Sequence, residues 1–600
     1  MSSVSFYPDE KAIPNSLLYQ YWELLIKYLK PQMSKVSILA FLLLSGIGLQ
    51  LINPQVIRYF LDSAQSRGPQ EALLFAAGLY ITFALVQQLL SIATIYIGEN
   101  ISWAATNGLR ADITLHCLRL DMSFHKRHSP GELIERIDGD ITALANFFSR
   151  FIINVLGYSL LVAGILILLF REDFWVGLGL CLYTVVMLII PGVLQSRAVA
   201  LWSAARQAAA EQYGFLEERI AGAEDIRASG AEAYMLHRLY HHMRAMLEKT
   251  RSAFLVESLI FNITNLLIAI GYAIGLALGV FLYTQGQASI GTAYLIVYYI
   301  GMLSVPLQNI REQVQDFQQA AASIQRIREF IQIQPLVKDP QPTPNSSIPR
   351  LPPGAFSVEF REVSFHYDEN ENVLEDINFC LQPGRRLGVL GRTGSGKTTL
   401  TRLLFRLYDP SGGAILLNGS DIRSASISDL RARVGLVTQD VQLFQATIRE
   451  NLAFFNKEIS DGDIVFALQE LGLWDWLQSH SQGLDTRLLT GGQGLSAGEA
   501  QLLAFTRIFL KDPGLVILDE ASSRLDPATE TLLEHAIDRL FRQRTGMIIA
   551  HRLRTVQRAD DILILDKGRV IEYGPRLLLA NNPSSHFHHL LRTGLEEALV

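Results

Sequence analysis

The sequence predicts a helical membrane domain followed by an α/β domain. Long stretches of the first half contain no Lys, Arg, Asp or Glu, and several of them are long enough to cross a bilayer as helices. From about residue 355 onward, the pattern changes to short apolar strands that alternate with helices. The composition agrees with a membrane protein, since 49% of the 600 residues are hydrophobic and only 18% are charged.

Six transmembrane helices are predicted from the charge-free intervals. Four intervals each have roughly the 20 residues that a spanning helix needs, namely 36–57, 72–98, 151–170 and 174–196. A fifth interval, 258–310, is too long for one helix, and a polar, Gly-containing stretch at 283–292 divides it into two. Residues 16–30 have an amphipathic pattern, which is typical of either an interfacial elbow helix or an ordinary packing helix.

The distribution of basic residues places both chain termini in the cytoplasm. Segments 99–150 and 197–257 are rich in Lys and Arg, whereas the opposite connections contain only Arg58, Arg67 and Arg171. Because basic residues accumulate on the cytoplasmic side, the α/β domain is expected there too. We therefore expect a multi-pass protein of the plasma (inner) membrane.

The cytoplasmic segments are long and have helical spacing of apolar residues, so the spans are expected to continue as helices beyond the bilayer. Their turning points fall near 120–137 and 218–234, where a short helix would either dock onto another domain or form a solvated hairpin. Residues 333–354 are rich in Pro and polar residues and read as a linker. The predicted domains are thus 1–332 in the membrane, the linker 333–354, and the α/β domain 355–600.

Charge and cysteine content argue against two kinds of function. The net charge of −6 provides no basic field for nucleic acid, so no nucleic-acid partner is expected. Cys117, Cys181 and Cys380 lie far apart and form no metal-ligand pattern, so we expect reduced thiols.

A phosphate-binding loop follows the strand Leu387–Leu390 and opens a helix. The segment "GRTGSGKTT" has the spacing G-x-x-x-x-G-K-T in the strand–loop–helix context that a P-loop needs. Lys397 would reach the β- and γ-phosphates, and Thr398 would ligate Mg²⁺. The residues predicted to contact ATP here are Gly391, Arg392, Thr393, Gly394, Ser395, Gly396, Lys397, Thr398 and Thr399.

Further chemistry is predicted where other strands of the α/β domain end. Asp519 and Glu520 follow the apolar run Leu515–Leu518, which places them at the carboxyl edge of a parallel sheet. Asp519 would hold Mg²⁺, and Glu520 would polarise the attacking water. His551 and Gln439 each follow another apolar run. His551 would donate a hydrogen bond to the γ-phosphate, and the Gln439 amide would contact Mg²⁺ or the attacking water.

A second candidate anion site lies in "GLSAGEAQLLAF", where Ser496 would cap a new helix. Helix N-termini attract anions because their first N–H groups are unpaired. One nucleotide-binding domain has no evident use for two such sites. The residues involved are Leu495, Ser496, Ala497, Gly498 and Glu499.

Together with Tyr367 in "SFHYDE", these motifs resemble, in their order, the ATP-binding-cassette (ABC) family. The order is the aromatic loop, the P-loop, "TQD", "LSAGE", "LVILDE", "SSRLD" and "AHRL". The resemblance covers the chain from about residue 355, and the six-helix half resembles ABC exporters in architecture. It implies a P-loop domain with a helical subdomain, Tyr367 stacked on adenine, and ATP hydrolysis coupled to transport.

The resemblance also implies a use for the second anion site. In the family, two nucleotide-binding domains pack head to tail, so Ser496 and the N–H of Gly498 would contact ATP held by another chain, with Asp526 at the dimer seam. The chain departs from the family's LSGGQ pattern at Ala497 and Glu499. A carboxylate at 499 should repel an anion unless it points at the ribose. A usual Glu-Arg pair is replaced by Thr490 and Gly491.

The predicted function is ATP-driven export of a hydrophobic or amphipathic compound, such as a lipid, drug or peptide. Two alternatives stay open, an importer of a metal chelate that uses the exporter layout and a membrane ATPase that acts as a regulatory subunit. The expected partner is a second half-transporter, identical or different, surrounded by membrane lipid. The expected cofactors are ATP and Mg²⁺.

Overall fold

A computed structural model of the chain describes residues 26–150, 155–340, 350–367, 372–438, 441–489, 495–519, 527–549 and 556–593. The chain divides into two compact units. The membrane unit contains residues up to 118 together with 130–333. The second unit, here called the cassette unit, contains residues 119–129 and those from 334 onward.

The membrane unit consists of helices. Their bounds are α1 Met33–Gln65, α2 Gln70–Arg119, α4 Pro130–Ile134, α5 Asp140–Arg150, α6 Tyr158–Glu172, α7 Phe174–Ala221, α8 Ala223–Ala228, α9 Glu232–Thr284 and α10 Ile290–Gln332, while α3 Met122–Arg127 clusters with the cassette unit. A π-helical turn at Glu135–Gly139 joins α4 to α5.

The six predicted spans are confirmed. Six helices of the described chain are long and apolar enough to cross a membrane. They are Ile26–Gln65, Gln70–Arg119, Val155–Glu172, Phe174–Ala221, Glu232–Thr284 and Ile290–Ile310. The break predicted at 283–292 separates α9 from α10, where the Ser289 side chain caps the new helix. Of the predicted elbow, only residues 26–30 lie within the described part of the chain, and they are helical.

The cassette unit contains two sheets. Its strands are β1 Val358–His366, β2 Asn372–Leu381, β3 Arg386–Gly391, β4 Gly412–Leu417, β5 Ser420–Asp421, β6 Val434–Val437, β7 Leu515–Asp519, β8 Thr545–Ile549, β9 Asp561–Asp566 and β10 Arg569–Pro575. The antiparallel sheet has the order β2-β1-β4-β5, and the larger sheet has the order β10-β9-β3-β8-β7-β6. In the larger sheet only β10 pairs antiparallel.

The helices of the cassette unit follow the strands. Their bounds are α11 Lys397–Leu404, α12 Ile427–Arg433, α13 Ile448–Ala453, α14 Asp461–Glu470, α15 Trp474–Gln478, α16 Ala497–Lys511, α17 Pro527–Leu540, α18 Arg576–Asn581 and α19 His586–Thr593. Helices α13, α14 and α15 lie between β6 and β7, in a stretch whose described residues contain no strand. These three helices are here called the helical subdomain.

Both faces of the parallel sheet are buried, which explains the continuous apolar run of β7. Leu515 and Ile517 pack into the core that includes the antiparallel sheet and α11. Val516 and Leu518 pack into the core formed with α13, α14 and α16. Since side chains alternate along a strand, the run supplies apolar residues to both cores and leaves Asp519 at the carboxyl edge.

Candidate functional site

The P-loop backbone leaves no room for a Cβ at two of its glycines. Gly391 has φ 149° and Gly396 has φ 103°. A Cβ added at Gly391 would lie 2.2 Å from the carbonyl oxygen of Leu565, and one added at Gly396 would lie 2.5 Å from Leu374 Cδ2. Gly394, by contrast, has open space where its Cβ would be. The loop is therefore closed toward the sheet and open on the side where a phosphate chain would lie.

Lys397 begins α11 and folds back over this loop. Its ammonium group donates hydrogen bonds to the carbonyl oxygens of Gly391, at 2.6 Å, and Arg392, at 2.9 Å. Ser395 Oγ is buried without a hydrogen-bond partner within the described part of the chain. A buried hydroxyl of this kind loses free energy unless a ligand or water satisfies it. These features fit a bound phosphate group. Thr398 is exposed at the start of the same helix.

Tyr367 lies next to the P-loop helix. Its hydroxyl is 3.1 Å from Thr399 Oγ1 and accepts a hydrogen bond of 3.2 Å from Arg402. Its ring makes an edge contact with Tyr408, with centroids 5.2 Å apart. Tyr408 is buried, which raises the pKa of its phenol. The structure thus places Tyr367 next to Thr399 and Arg402 of the P-loop helix, and Arg402 carried no sequence signal because basic residues are common on helix surfaces.

Asp519 lies at the same edge of the sheet as the P-loop. Strand β7 pairs with β8, and β8 pairs with β3, so the end of β7 is two strands from the end of β3. The Asp519 side chain is mostly buried, with 9% of its surface exposed. Four predicted site residues lie outside the described part of the chain, namely Gln439, Glu520, Asp526 and His551, as do Thr490 and Gly491.

The predicted cap of α16 is present as a reciprocal capping box. Ser496 Oγ accepts a hydrogen bond of 3.2 Å from the backbone N–H of Glu499, and the Glu499 carboxylate accepts one of 2.7 Å from the backbone N–H of Ser496. Ser496 and Ala497 are exposed, while Leu495 packs against the core and Gly498 is buried. The helix N-terminus is therefore ordered and accessible at its serine.

The other carboxylate oxygen of Glu499 accepts a hydrogen bond of 2.8 Å from the indole Nε1 of Trp476, on α15. The Glu499 side chain is thus hydrogen-bonded within its own chain rather than extended toward a ribose. Sequence reasoning missed Trp476. The sequence feature that could have indicated it is a tryptophan shortly before the unusual carboxylate Glu499. A tryptophan N–H that becomes buried needs a hydrogen-bond acceptor, and this carboxylate is one.

A cleft of 810 Å³ opens between the parallel sheet and the helical subdomain. Its rim contains Phe444 and Phe454, which are exposed, and its basic lining residues are Arg507 and Lys511. Burial lowers the pKa of Arg507 to about 10, so the guanidinium remains charged at neutral pH. Arg507 donates hydrogen bonds to backbone carbonyls of Gln442 and Asn451, at 2.9 and 2.7 Å. The cleft combines apolar surface with partly desolvated positive charge.

Comparison with known families agrees with this arrangement. The protein family described as "ABC transporter transmembrane region" matches residues 36–307. The family described as "ABC transporter" matches residues 374–523. The chain is 32% identical over 581 residues to the uncharacterized ABC transporter ATP-binding protein YknV of Bacillus subtilis, covering 95% of this chain and 94% of that protein.

Two further similarities extend along most of the chain. The ATP-dependent lipid A-core flippase of Idiomarina loihiensis is 28% identical over 584 residues, covering 95% of this chain and 97% of that protein. The structure of a bacterial Atm1-family ABC exporter with ATP bound aligns with a TM-score of 0.77 at 24% identity, covering 94% of this chain and 97% of that one. The latter supports the fold.

One chain thus carries a six-helix membrane domain and an ATP-binding domain, as a half-transporter does. It is a multi-pass inner-membrane protein with a cytoplasmic nucleotide-binding domain that couples ATP hydrolysis to transport. The chain belongs to the ABC transporter family, as a half-transporter with the exporter layout.

Proposed function

We propose that two copies of this chain form a dimer that uses ATP to export a hydrophobic or amphipathic compound. The observation that carries the proposal is the pair of separate anion-binding helix starts, α11 after the P-loop and the capped α16. In a head-to-tail dimer each ATP lies between the P-loop of one copy and α16 of the other. Because one chain supplies both halves, two identical copies suffice for two complete sites. The proposed domains are 1–332 in the membrane, the linker 333–354 and the nucleotide-binding domain 355–600.

In the proposed site, each P-loop binds the phosphates while Tyr367 stacks on adenine. Thr398, Asp519 and Gln439 are the residues that would hold Mg²⁺, which neutralises charge on the β- and γ-phosphates when bound. Glu520 orients and polarises the attacking water, and His551 donates to the γ-phosphate. From the partner, Ser496 and the N–H of Gly498 complete the shell, and Asp526 lies at the seam. Closure around two ATP molecules and reopening after hydrolysis drive alternating access.

The cleft beside Arg507 is the proposed place where this closure reaches the membrane domain. We infer that it receives α8 from the second copy. Helix α8 has two exposed carboxylates, Glu224 and Asp225, which complement Arg507 and Lys511. Aromatic rings at the cleft rim would cover the apolar surface of the docked helix.

The substrate class is inferred from the membrane helices. Tyr294 and Tyr298 on α10 lie with ring centroids 5.8 Å apart, and Tyr294 is exposed. Such rings suit flat or amphipathic molecules. Tyr299 contributes to helix packing instead, because it is fully buried and its hydroxyl donates to the carbonyl oxygen of Leu51 at 2.9 Å. The flippase similarity supports a lipid-like substrate.

The first experiment tests hydrolysis and substrate class together. We expect Glu520→Gln to abolish ATP turnover of the purified dimer in lipid while ATP binding persists, whereas Glu458→Gln, at an exposed position, serves as the matched control. Wild-type ATPase activity is then screened with lipids, drugs, peptides and siderophores. Stimulation by siderophores alone would contradict the proposed substrate class, and full activity of the Glu520 variant would contradict the catalytic role.

The second experiment tests the shared site. A Lys397→Ala chain and a Ser496→Arg chain are co-expressed with different tags and purified as mixed dimers. One intact composite site remains, formed by the P-loop of the second chain and α16 of the first. We expect one occluded ATP per mixed dimer and none in either parent homodimer. No occlusion in the mixed dimer would contradict the shared site.

A further inference from the structure

Helix α16 is tied to the helical subdomain by a carboxylate with two different donors. One Glu499 oxygen accepts from the Ser496 backbone N–H at 2.7 Å, and the other accepts from the Trp476 indole at 2.8 Å. The first bond closes the capping box, which is local. The second joins α16 to α15 and is the tertiary contact that sets the direction of the carboxylate.

Trp476 is itself held in place. Its ring is partly buried against the same core that contains Leu502 and Phe505 of α16. The His480 ring lies 4.6 Å from it, and His480 Nδ1 is 2.9 Å from the Trp476 carbonyl oxygen. Because packing fixes the indole, its N–H presents a fixed donor to Glu499.

This arrangement leaves the Ser496 hydroxyl able to donate a hydrogen bond to a phosphate. Its Oγ accepts from the Glu499 backbone N–H through a lone pair, so the hydroxyl proton remains available for another acceptor. The Gly498 N–H is in the first helical turn, where backbone donors lack intrahelical partners. Meanwhile both oxygens of Glu499 are occupied by N–H donors. A carboxylate that would otherwise repel an incoming phosphate is thereby held back.

We propose that Trp476 is a positioning residue for ATP bound to the partner chain. Through Glu499 it orients Ser496 toward the γ-phosphate and keeps the carboxylate turned away from it. The inference rests on the shared site proposed above. It also assigns the Glu499 departure from the LSGGQ pattern a specific role, since the two donors bond to different oxygens and an amide presents an acceptor at only one of these two positions.

A double-mutant cycle tests the pair. Trp476→Phe leaves the carboxylate with one donor, so we expect kcat of the dimer to fall about tenfold, the scale of one hydrogen bond to a charged group. The Kd for ATP at the open P-loop, measured without Mg²⁺, should stay unchanged. Glu499→Gln should lower kcat less. The double variant should recover to within about twofold of wild type, because a neutral amide needs no second donor and repels no phosphate.

Trp474→Phe is the matched control, since Trp474 lies on the same short helix and packs on the same core. It should leave kcat unchanged. Additive losses in the double variant, or an equal loss from Trp474→Phe, would overturn the proposal, because either result means that the indole only supports the local fold.

Mixed dimers separate positioning from a folding defect. One chain carries Lys397→Ala, so the intact site combines its α16 with the partner's P-loop. Trp476→Phe should reduce ATP occlusion when placed in the Lys397→Ala chain and have no effect in the other chain. Loss in both placements, or in neither, overturns the role of Trp476. Ser496→Arg is run in the same two placements, and if it too shows no dependence on placement, the shared site itself is refuted.

Discussion

The ammonium group of Lys126, on α3, lies 4.6 Å from the centroid of the Tyr367 ring. Both residues belong to the cassette unit. A cation over an aromatic face is attracted by the ring quadrupole. The ring that is proposed to stack on adenine is therefore already covered by a residue from the first predicted turning point.

We predict that Lys126→Ala tightens ATP binding, because adenine no longer has to displace the ammonium group. An exposed cation–π contact corresponds to about a two- to fivefold change in Kd. The measurement is nucleotide titration of the purified dimer without Mg²⁺. Lys126→Arg keeps a cation and should bind like wild type, and inorganic triphosphate, which has no base, should bind equally to all three. Weaker ATP binding by Lys126→Ala would show that the lysine helps to hold the nucleotide.

Asp121 gives the start of α3 a dependence on pH. Its carboxylate accepts hydrogen bonds from the backbone N–H groups of Leu336, at 2.6 Å, and Phe124, at 3.3 Å, and from the Ser123 hydroxyl. Burial raises the pKa of Asp121, but these hydrogen bonds outweigh it and hold the pKa below its usual value. A lowered pKa in the folded state means that the stabilisation is present above the ordinary value and is lost as pH falls through the folded value.

We therefore predict that the amides of Phe124 and Leu336 lose hydrogen-exchange protection as pH falls below about 4, the ordinary Asp pKa. Asp121→Ala should cost about 1 kcal/mol of local stability at neutral pH, the usual value of a helix cap. Asp121→Asn keeps the cap but should remove the pH dependence. The same pH dependence in Asp121→Asn as in wild type would assign it to another group.

An ion pair in the membrane unit joins α1 to the C-terminal end of α6. Arg58 of α1 contacts Glu172 of α6 at 2.5 Å and Asp62 at 3.8 Å, beside a polar cavity of 430 Å³. We predict that Arg58→Met destabilises the protein more than Glu172→Gln, because it leaves two carboxylates without their cation. A partner left alone in a partly buried pair costs on the order of 3 kcal/mol. Thermal unfolding in lipid is the measurement. Equal losses in both variants would mean that Asp62 and Glu172 are well solvated.

Much of the architecture follows from one-dimensional patterns. The spans could be predicted because a bilayer excludes charged residues, so charge-free intervals mark the spanning helices, and the polar stretch at 283–292 divides the longest interval into two. Strand β7 and the cap at Ser496 follow from local rules about buried strands and helix starts. The P-loop is recognised from its spacing, and two of its glycines, Gly391 and Gly396, occupy positions that exclude a Cβ.

The tertiary pairs could not be predicted in this way. Neither Trp476 with Glu499 nor Lys126 with Tyr367 lies within one element, and each depends on how separate helices pack. The sequence places an unusual carboxylate at 499, which suggests a ribose contact. The structure instead pairs it with an indole, a donor that no spacing rule links to it. The π-helical turn at Glu135–Gly139 also has no local sequence signature.

The lengths of the membrane helices have a mechanical consequence. Helix α9 has 53 residues, so at 1.5 Å per residue it is about 80 Å long, and a bilayer core covers only about 30 Å of it. A helix of this length that tilts as a rigid body would turn about a point within the bilayer. A tilt of about 5° moves one end of an 80 Å rod by about 7 Å relative to the other, more than one helical turn. Because the charge-free part of α9 begins only at residue 258, its cytoplasmic arm is the longer one, so a large movement at the cytoplasmic end becomes a smaller displacement at the outer end.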